Sequence, residues 1–455
     1  MAPSAGPLRL WALETCCLCG WGGEPSPLGL PLEGHFPAPG EGYGPGVTDV
    51  AAGREPVVFN PFEPGFSAWP YDQYRRLREQ DPVHRTPLGS WNLSRYDDVV
   101  RVLRDPTLSV EEANATPLPG MEELREMAGD RSRGRRAMLN LDPPDHDRLR
   151  RLVSTAFTPK TVQALRPRVQ ALVDAALDAV APRGEMDVVA DLAFPLPFTV
   201  ISEMLGMPAG HRDEVRGWSH TLTKTLDPFL TPEEFRAAFE ASDNMTAYIS
   251  DVVDQKRREP GDDVLSGLIA AEDEGDVLDH QEVLDQVMLL YIAGHETTVN
   301  LIGNGTLALV RHRDQLERWH RDPELDTNAV EELLRYDSPV QFSRRITLAE
   351  LEIDGITIEP ASFLFTGLAS ANRDPAHWGD SADDLDLGRA NAGQHVSFGG
   401  GVHHCLGSSL ARTEAQVALG TLVRRFPGIE LTTDEPTWNG RIVLRGLDAL
   451  PVTLG

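Results

Sequence analysis

The chain has few cysteines and no long apolar run, and both shortages narrow the classes of protein to which it can belong. Its 455 residues contain four cysteines, of which Cys16, Cys17 and Cys19 lie in the N-terminal stretch and Cys405 stands alone. This arrangement is no disulfide framework, so we expect a protein of the reducing cytoplasm. No stretch of about 18 apolar residues occurs, so no membrane span is expected. Residues 8–18 make a poor signal peptide because an acidic residue interrupts them.

Basic residues are also scarce. The chain has 42 Lys and Arg against 70 Asp and Glu, which gives a formal net charge of -28. Such a surface repels nucleic acid and anionic lipid and favours a soluble protein. Any protein partner must therefore dock on a local basic patch, because the overall field is negative.

The pattern of apolar residues divides the chain into an extension and one folded domain. Residues 1–55 are rich in Gly and Pro and are predicted to be disordered. Their cysteines are also consistent with half of a metal site, but no second ligand pair lies nearby and a closed zinc site needs four ligands. Residues 56–455 are predicted to form a single domain, mostly α with a smaller β portion. Helical spacing recurs over residues 72–80, 96–103, 146–157, 161–180, 233–257 and 281–311, and extended segments cover residues 351–358, 363–368 and 441–454.

The lone cysteine follows three consecutive glycines in a segment that neither a helix nor an ordinary strand accommodates. The sequence from Phe398 to Gly407 is FGGGVHHCLG. Glycines permit positive φ angles and a close approach of the backbone to a flat group. A helical stretch follows over residues 406–425, so Cys405 is expected at a helix N-terminus, where the dipole favours a thiolate. A thiolate is a good soft ligand for iron; the alternative is a buried free cysteine beside a tight turn.

The helix predicted over residues 281–311 is apolar on nearly all sides at its start, which is typical of a helix that crosses the centre of a protein. Its middle is Ala293-Gly-His-Glu-Thr-Thr298, and a glycine, a charged pair and two β-branched residues are poor choices for a buried helix centre. The hydroxyl of Thr297 is placed to bond back to the carbonyl of Ala293 and bend the helix, which opens a groove for a small ligand. The alternative is that Thr297 only caps a kink and Glu296 pairs with a distant arginine.

Both segments resemble motifs of the cytochrome P-450 family. Residues 398–412 match the haem-binding signature Phe-Gly-x-Gly-x-His-x-Cys-x-Gly-x-x-Leu-Ala-Arg at every fixed position, and Ala-Gly-x-Glu-Thr-Thr is similar to the family's oxygen-activation motif. The resemblance extends from about residue 57 to the C-terminus. It implies the P-450 fold, with a haem b (iron protoporphyrin IX) between the long helix and the cysteine loop and with Cys405 as the iron ligand. It further implies that Phe398 packs near the sulfur, that the amides of Leu406 and Gly407 donate to it, and that Ala293 contacts the haem.

The resemblance also assigns roles to polar side chains. Glu296 and Thr297 would relay protons to dioxygen while bulk water stays out. Cationic donors would bind the two haem propionates; the residues at these positions are His146, Arg150, Arg345 and His403. Arg344 is the other candidate for the propionate-binding position assigned to Arg345. The alternative role for His146 is to cap a helix, and the alternative for Arg345 is exposure to solvent. Glu332 and Arg335, with Arg389 as a third member, would fasten the segment before the cysteine loop; the alternative is an exposed ion pair worth about 0–1 kcal/mol.

Substrate would lie above the haem against an apolar lining, so we expect a medium-sized to large lipophilic molecule. The loop of residues 108–138 would complete the wall, and Gln341 is a candidate to orient a polar group. The alternative for each lining residue is ordinary core packing. The residues implied are Leu289, Leu290, Val340, Gln341, Phe342 and Ile442.

The resemblance therefore implies a haem-thiolate monooxygenase of secondary metabolism or catabolism, which inserts one oxygen atom of O2 by hydroxylation or epoxidation. No flavin or nicotinamide fingerprint occurs, so electrons from NAD(P)H are expected through an acidic ferredoxin and its reductase. A basic patch of Arg148, Arg151, His404 and Arg412 would receive that partner, and a monomer is expected. The alternatives are a non-catalytic haem-binding or sensor protein of the same fold, another haem-dependent oxidation such as carbon–carbon coupling or desaturation, and a haem-free helical protein.

Overall fold

The computed structural model describes residues 57–119, 136–228, 230–273 and 278–455. The extension predicted over residues 1–55, with its three cysteines, and the centre of the predicted 108–138 loop lie outside the described residues. Helices dominate the described chain. They are α1 (Tyr71–Gln80), α2 (Tyr96–Arg104), α3 (Asp145–Ser154), α4 (Pro159–Val180), α5 (Pro195–Leu205), α6 (Arg212–Thr223), α7 (Pro232–Arg258), α8 (Val264–Asp273), α9 (His280–Arg311), α10 (Arg313–Arg321), α11 (Asp326–Tyr336), α12 (Leu368–Ala371), α13 (Pro375–Trp378) and α14 (Ser408–Arg425).

The β portion is smaller and irregular. Its largest sheet has the strand order β1-β2-β8-β5-β3, in which β2 and β8 are parallel and the other pairs are antiparallel. A second sheet joins β4, β12 and β9, while β6 with β7 and β10 with β11 form two-stranded pairs. The strands are β1 (Val83–Arg85), β2 (Trp91–Leu93), β3 (Leu108–Ser109), β4 (Glu185–Asp187), β5 (Phe342–Thr347), β6 (Leu351–Ile353), β7 (Ile356–Ile358), β8 (Phe363–Gly367), β9 (Glu430–Leu431), β10 (Thr437–Trp438), β11 (Leu447–Ala449) and β12 (Pro451–Thr453).

All six helices predicted from apolar spacing are present, together with the hairpin of β6 and β7. The hairpin turns through Asp354 and Gly355 at φ angles of 52° and 75°, as a two-residue turn of this type requires. The sequence did not predict α5, although it lies in the main core. Its side chains are buried on nearly every side and two prolines stand in its first turn, so it lacks the one-sided apolar period on which the prediction depends.

The long helix α9 organises the main core. It has 32 residues, which corresponds to roughly 48 Å of length. The predicted capping box is present, because the Asp279 side chain accepts from the amide of Glu282 and the Glu282 side chain accepts from the amide of Asp279. The helices α4, α5, α7, α11 and α14 contribute buried apolar residues to the same core. In the part of the chain that the structure describes, no helix combines the length and apolar character that a membrane span needs.

Candidate active site

The loop before α14 closes on itself through a backbone hydrogen bond. The amide of Cys405 donates to the carbonyl of Phe398 at 2.9 Å, and Gly399 and Gly401 both have a φ of 68°. A Cβ on Gly401 would lie 2.5 Å from the carbonyl oxygen of Leu103 at the end of α2. Glycine is therefore required at this position because the loop packs against α2. The positive φ angles that consecutive glycines permit are present at Gly399 and Gly401.

The side chain of Cys405 lies deep in the protein and still keeps open surface. Burial raises the pKa of its thiol, and the backbone amides of Gly407 and Ser408 oppose that rise. The second amide was expected from Leu406, but α14 begins two residues later than predicted, at Ser408. A Cβ built on Gly407 would meet nothing within 4 Å, so the backbone here borders open space. A thiol in this position becomes a thiolate when a metal cation takes the place of its proton.

Four basic side chains from α3, β5 and the cysteine loop meet at one place. The ring centroids of His146 and His403 are 4.4 Å apart, and Nη2 of Arg150 donates to the carbonyl of His404 at 2.7 Å. Burial lowers the pKa of His403 to about 3, and the nearby His146, Arg345 and Arg150 add to the effect. The structure thus brings together the four residues that the sequence assigned to one anionic group, and their shared positive potential opposes protonation of His403.

Arg345 is the buried arginine of this set, with 4% of its surface exposed. Burial lowers its pKa to about 10, against the opposing effect of Asp142. Its hydrogen bonds within the described chain go to carbonyl and hydroxyl oxygens, none of them a carboxylate. Arg344, the competing candidate, is instead half-exposed and lies 3.4 Å from a carboxylate oxygen of Glu112. A buried guanidinium without a carboxylate needs an anionic partner, so the residues present fit a dianionic group such as haem.

The middle of α9 keeps open surface on one flank. Ala293 is exposed and Leu289 and Thr297 are partly exposed, although most of the helix around them is buried. These residues are four apart and therefore share a face. The hydroxyl of Thr297 donates to the carbonyl of Ala293 at 3.2 Å, as the sequence predicted. The structure therefore places a hydroxyl and a small side chain together on a flank of α9 that borders open space.

The carboxylate of Glu296 lies in a cluster of charges. Its oxygens are 3.4 Å from Nη1 of Arg441 and 3.6 Å from Nε2 of His295. Burial acts to raise the pKa of Glu296, but His295, Arg441 and His220 outweigh it and hold the pKa below its ordinary value. Glu296 is therefore ionised at neutral pH. The distant arginine that the sequence left open as an alternative partner exists, and it is Arg441.

Comparison with known proteins decides the family. The family model described as Cytochrome P450 matches residues 126–445. This chain belongs to the cytochrome P450 family. Cytochrome P450 107B1 of Saccharopolyspora erythraea is 39% identical over 406 residues, which cover 87% of this chain and 97% of the relative. The vitamin D(3) 25-hydroxylase of Pseudonocardia autotrophica is 41% identical over 393 residues, 85% of this chain and 94% of the relative.

A solved structure agrees with this assignment. The myxobacterial cytochrome P450 CYP267B1, solved in complex with myristic acid, superimposes with a TM-score of 0.80 at 39% identity and covers 87% of this chain and 98% of its own. The chain is thus a cytochrome P450 monooxygenase that uses haem b, O2 and electrons derived from NAD(P)H through redox partners. Its haem lies between the long central helix and the cysteine loop. The comparisons support this enzyme and not the non-catalytic alternative.

The P450 secures the segment before its cysteine loop with a buried charge cluster. Glu332 accepts from Arg335 at 2.7 and 2.8 Å and from Nε of Arg389 at 3.1 Å to each oxygen. The side chains of Glu332 and Arg335 are both 0% exposed. Further hydrogen bonds from the two guanidinium groups reach the carbonyls of Asn372, Ser381, Ala382 and Asp384 and the hydroxyl of Ser381. The structure therefore brings these three residues together in the interior, which excludes the exposed ion pair considered as an alternative.

Four of the six residues predicted to contact substrate are packed in the interior. Leu290 is 6% exposed and belongs to the main core. Both polar atoms of the Gln341 side chain have partners. Its oxygen accepts from the hydroxyl of Tyr74 at 2.9 Å, and its nitrogen donates to the carbonyl of Ser338 at 2.6 Å. It is therefore not free to orient substrate, which corrects that expectation.

Phe342 and Ile442 are each 6% exposed and pack with Tyr74 in an aromatic cluster, so they offer almost no free surface. Core packing, the stated alternative, accounts for these two residues as well as for Leu290 and Gln341. The structure leaves Leu289 and Val340 partly exposed, and only these two of the predicted lining residues keep surface that a substrate can touch.

The basic patch predicted for a redox partner is weaker than expected. Arg148 lies 2.6 Å from a carboxylate oxygen of Glu282, and Arg412 lies 2.6 Å from one of Glu331. Both charges are therefore largely neutralised by the protein's own carboxylates. Arg151 and His404 are exposed as expected, and so is Arg104, which the sequence analysis missed. Arg104 and His404 line an open cavity of about 510 Å³ between α2 and the cysteine loop.

Proposed function

We propose that this P450 hydroxylates a medium-sized to large lipophilic molecule held against the open flank of α9. The observation that carries the proposal is the exposure of Leu289, Ala293 and Thr297 on a helix that is otherwise mostly buried. An apolar wall with a single hydroxyl favours a substrate with few polar groups. The relatives support this class, since one is named for a hydroxylation of vitamin D(3) and another was solved with myristic acid.

An optical titration tests the substrate class. Vitamin D3 and myristic acid would be added separately to the purified haem protein, and the change of the haem band that follows loss of a bound water would be recorded. We expect a saturable change with at least one of them, followed by an oxygenated product when electrons are supplied. A protein that responds only to small polar compounds would contradict the proposal, and a desaturated or coupled product would identify a different oxidation.

Haem, when bound, would supply the iron at which dioxygen is reduced, and the Cys405 thiolate would be the protein ligand of that iron. The amides of Gly407 and Ser408 stabilise negative charge on that sulfur. The carboxylates of the haem would be held by His146, Arg150, Arg345 and His403.

A dialysis experiment tests this assignment. The variant Arg345→Gln should lose haem faster during dialysis, because the substitution removes a buried cation. Arg344→Gln should leave the rate of loss unchanged, because Arg344 is half-exposed and pairs with a carboxylate of the protein.

Thr297 and Glu296 are proposed as the proton relay on the open flank of α9. The hydroxyl of Thr297 donates to the carbonyl of Ala293. Turning away from that carbonyl would direct its hydrogen to a ligand on the open flank, while its oxygen accepts a proton in exchange. Glu296 is ionised and is the residue directly before Thr297 in the helix. A carboxylate and a hydroxyl in this order deliver protons one at a time while apolar neighbours keep bulk water out.

We also propose that an acidic ferredoxin docks beside the cysteine loop. The support is the exposed basic set of Arg104, Arg151 and His404, two of which line the open cavity there. Charge reversal of Arg104 and Arg151 should slow the first electron transfer from an acidic ferredoxin several-fold and weaken its salt dependence. Charge reversal of Arg236, an exposed residue of α7 that pairs with Glu233, is the matched control. Equal rates in all variants would exclude this surface.

A further inference from the structure

A second charge cluster lies behind the cysteine loop and is centred on Glu331, the residue before Glu332 on α11. Its carboxylate accepts from Nε and Nη2 of Arg412 on α14, at 2.6 and 3.0 Å. It also accepts from Nε2 of His395, in the segment that leads into the loop, at 3.0 Å. One carboxylate therefore joins α11, α14 and that segment.

The protonation of His395 is fixed by its neighbours. Its Nδ1 accepts from the amide of Ser397 at 3.1 Å, so the ring proton is on Nε2, where it is donated to Glu331. Burial lowers the pKa of His395, although Glu331 acts to raise it. His395 is therefore neutral, and the cluster contains one negative charge on Glu331 and one positive charge on Arg412.

Arg412 and His395 flank the ring of Phe398, the first residue of the cysteine loop. The guanidinium carbon of Arg412 lies 4.4 Å from the ring centroid, within the ~6 Å at which a cation is attracted to an aromatic face. The ring centroid of His395 is 5.6 Å from the same point. The carbonyl of Phe398 accepts from the amide of Cys405. The cluster thus holds the ring of a residue whose backbone holds the cysteine.

The charge of Arg412 also acts on the cysteine itself. It is among the groups that lower the pKa of the Cys405 thiol, against the effect of burial. The arginines around Glu332 instead donate to backbone carbonyls outside the loop, so the two clusters differ in what they contact. Charges and contacts around the ligand of a metal tune the metal's reduction potential.

We propose that Glu331 positions Arg412 and His395 against Phe398, and that this cluster sets the reduction potential of a haem bound at Cys405. The inference rests on Cys405 as the iron ligand. Removing one charge of the pair leaves the other to act on the site alone. An uncompensated carboxylate opposes the uptake of an electron, and an uncompensated guanidinium favours it. The two single substitutions should therefore shift the potential in opposite directions.

A redox titration of the purified haem protein, without substrate and at neutral pH, tests the signs. Arg412→Gln should lower the midpoint potential and Glu331→Gln should raise it, each by about a tenfold change in the ratio of reduced to oxidised protein, which is ~59 mV for one electron. The double variant should lie close to the natural protein. Damage to packing has no reason to reverse its sign within one ion pair, so shifts of the same sign, or none, would overturn the proposal.

The matched control is another ion pair between the same two helices. Arg424 of α14 lies 2.8 Å from Asp326 of α11, and the two side chains are 35% and 22% exposed. Arg424 is roughly 18 Å further along α14 than Arg412, at 1.5 Å per residue. Arg424→Gln should leave the potential unchanged. A shift equal to that of Arg412→Gln would show that the position beside Phe398 is not the cause.

Hydrogen exchange tests the positioning without reference to the potential. The amide of Cys405 should exchange several-fold faster in Arg412→Gln than in the natural protein, because the ring of Phe398 is no longer held. Arg412→Lys keeps a cation and should restore slow exchange, and Arg424→Gln should not alter it. Unchanged exchange in Arg412→Gln would refute the positioning role. Should that variant not fold, Glu331→Gln decides alone, since a potential that stayed or fell in it would overturn the proposal.

The carbon monoxide spectrum of the reduced natural protein separates this inference from the assignment of the ligand. An imidazole-type spectrum would refute Cys405 as the ligand, and this inference with it. A thiolate-type spectrum together with equal potentials in Arg412→Gln and Glu331→Gln would refute the role of the cluster and leave the ligand in place.

Discussion

Removing the carboxylate of Glu332 should destabilise the protein more than breaking any surface ion pair. Glu332→Gln leaves the guanidinium groups of Arg335 and Arg389 in the interior without their counter-ion, and these residues are 0% and 7% exposed. Breaking one side of a buried charge network costs roughly 3–5 kcal/mol. Backbone carbonyls still accept from both arginines, so we expect the lower part of that range.

The matching change in melting temperature follows from the size of the chain. Unfolding entropy of ~2.1 cal/mol/K per residue over roughly 380 ordered residues is about 0.8 kcal/mol/K, so a loss of about 3–4 kcal/mol should lower the melting temperature by about 4–5 °C. Haem retention should fall as well, because the arginines hold the segment that leads into the cysteine loop. Circular dichroism during heating, with haem absorbance followed in parallel, measures both effects.

The control is an exposed ion pair that acts on the same segment. Arg318 lies 2.8 Å from Asp386, with 45% and 47% of the two side chains exposed. Arg318→Gln should cost at most about 1 kcal/mol, because water and salt screen such pairs. If Glu332→Gln melted no lower than Arg318→Gln, the reasoning from burial would be refuted.

Three further predictions test the site and its surroundings. Thr297→Ala should consume NAD(P)H with several-fold less product and more peroxide, while Thr297→Ser should retain coupling; a coupled alanine variant would count against the relay. Gly401→Ala should lower the free energy of unfolding, measured in denaturant, more than Gly184→Ala does. Both glycines have a positive φ that costs ~1–2 kcal/mol for alanine, but only Gly401 lies against the backbone of another segment. Equal losses would contradict the argument that Gly401 packs against α2. Burial acts to raise the pKa of Glu331, but hydrogen bonds from His395 and Arg412 hold it at about 2. This stability is therefore fully present above the unfolded pKa of ~4.3 and is lost as the pH falls from there through the folded pKa of about 2; it amounts to about 3 kcal/mol. Glu331→Gln should flatten the acid limb of a stability–pH profile, and an unchanged limb would disprove the assignment.

The features that the sequence predicted well are those set by neighbouring residues. The capping box of α9, the bond from Thr297 to Ala293 and the turn at Asp354 and Gly355 all depend on spacings of one to four residues. The family resemblance also rested on contiguous motifs, around Cys405 and Thr297. Such patterns fix local geometry whatever the rest of the chain does, which is why they could be predicted without a structure.

Contacts across long stretches of chain could not be predicted in the same way. Arg441 and Glu296 are 145 residues apart, and Arg148 and Glu282 are 134 apart. No local period links either pair, so the sequence allowed a distant partner for Glu296 without naming it. It also counted Arg148 as a free charge for a redox partner, because the carboxylate that neutralises it belongs to another helix.

The prediction of substrate-lining residues was partly wrong for a different reason. On a helix that is buried all round, successive residues turn by about 100°, so Leu289 borders open space while Leu290 faces the core. Composition does not distinguish the two, because both environments are apolar. Only the direction of each side chain decides, and that direction depends on how α9 packs against its neighbours.

The state of the buried charges distinguishes a structural cluster from one that binds something. Around Glu332, the hydrogen bonds from both arginines end on the carboxylate, on backbone carbonyls or on the Ser381 hydroxyl, so the cluster is satisfied by the protein and its role is to hold a segment. Around Arg345, the guanidinium has no carboxylate among its hydrogen-bond partners in the described chain, so an anion must come from outside. Around Glu296 the charges are paired, yet neighbouring donors on Asn300 and Arg441 are unsatisfied beside a cavity. Because a buried donor without a partner costs ~1–3 kcal/mol, each incomplete cluster indicates what is missing: an anion in the first case and water in the second.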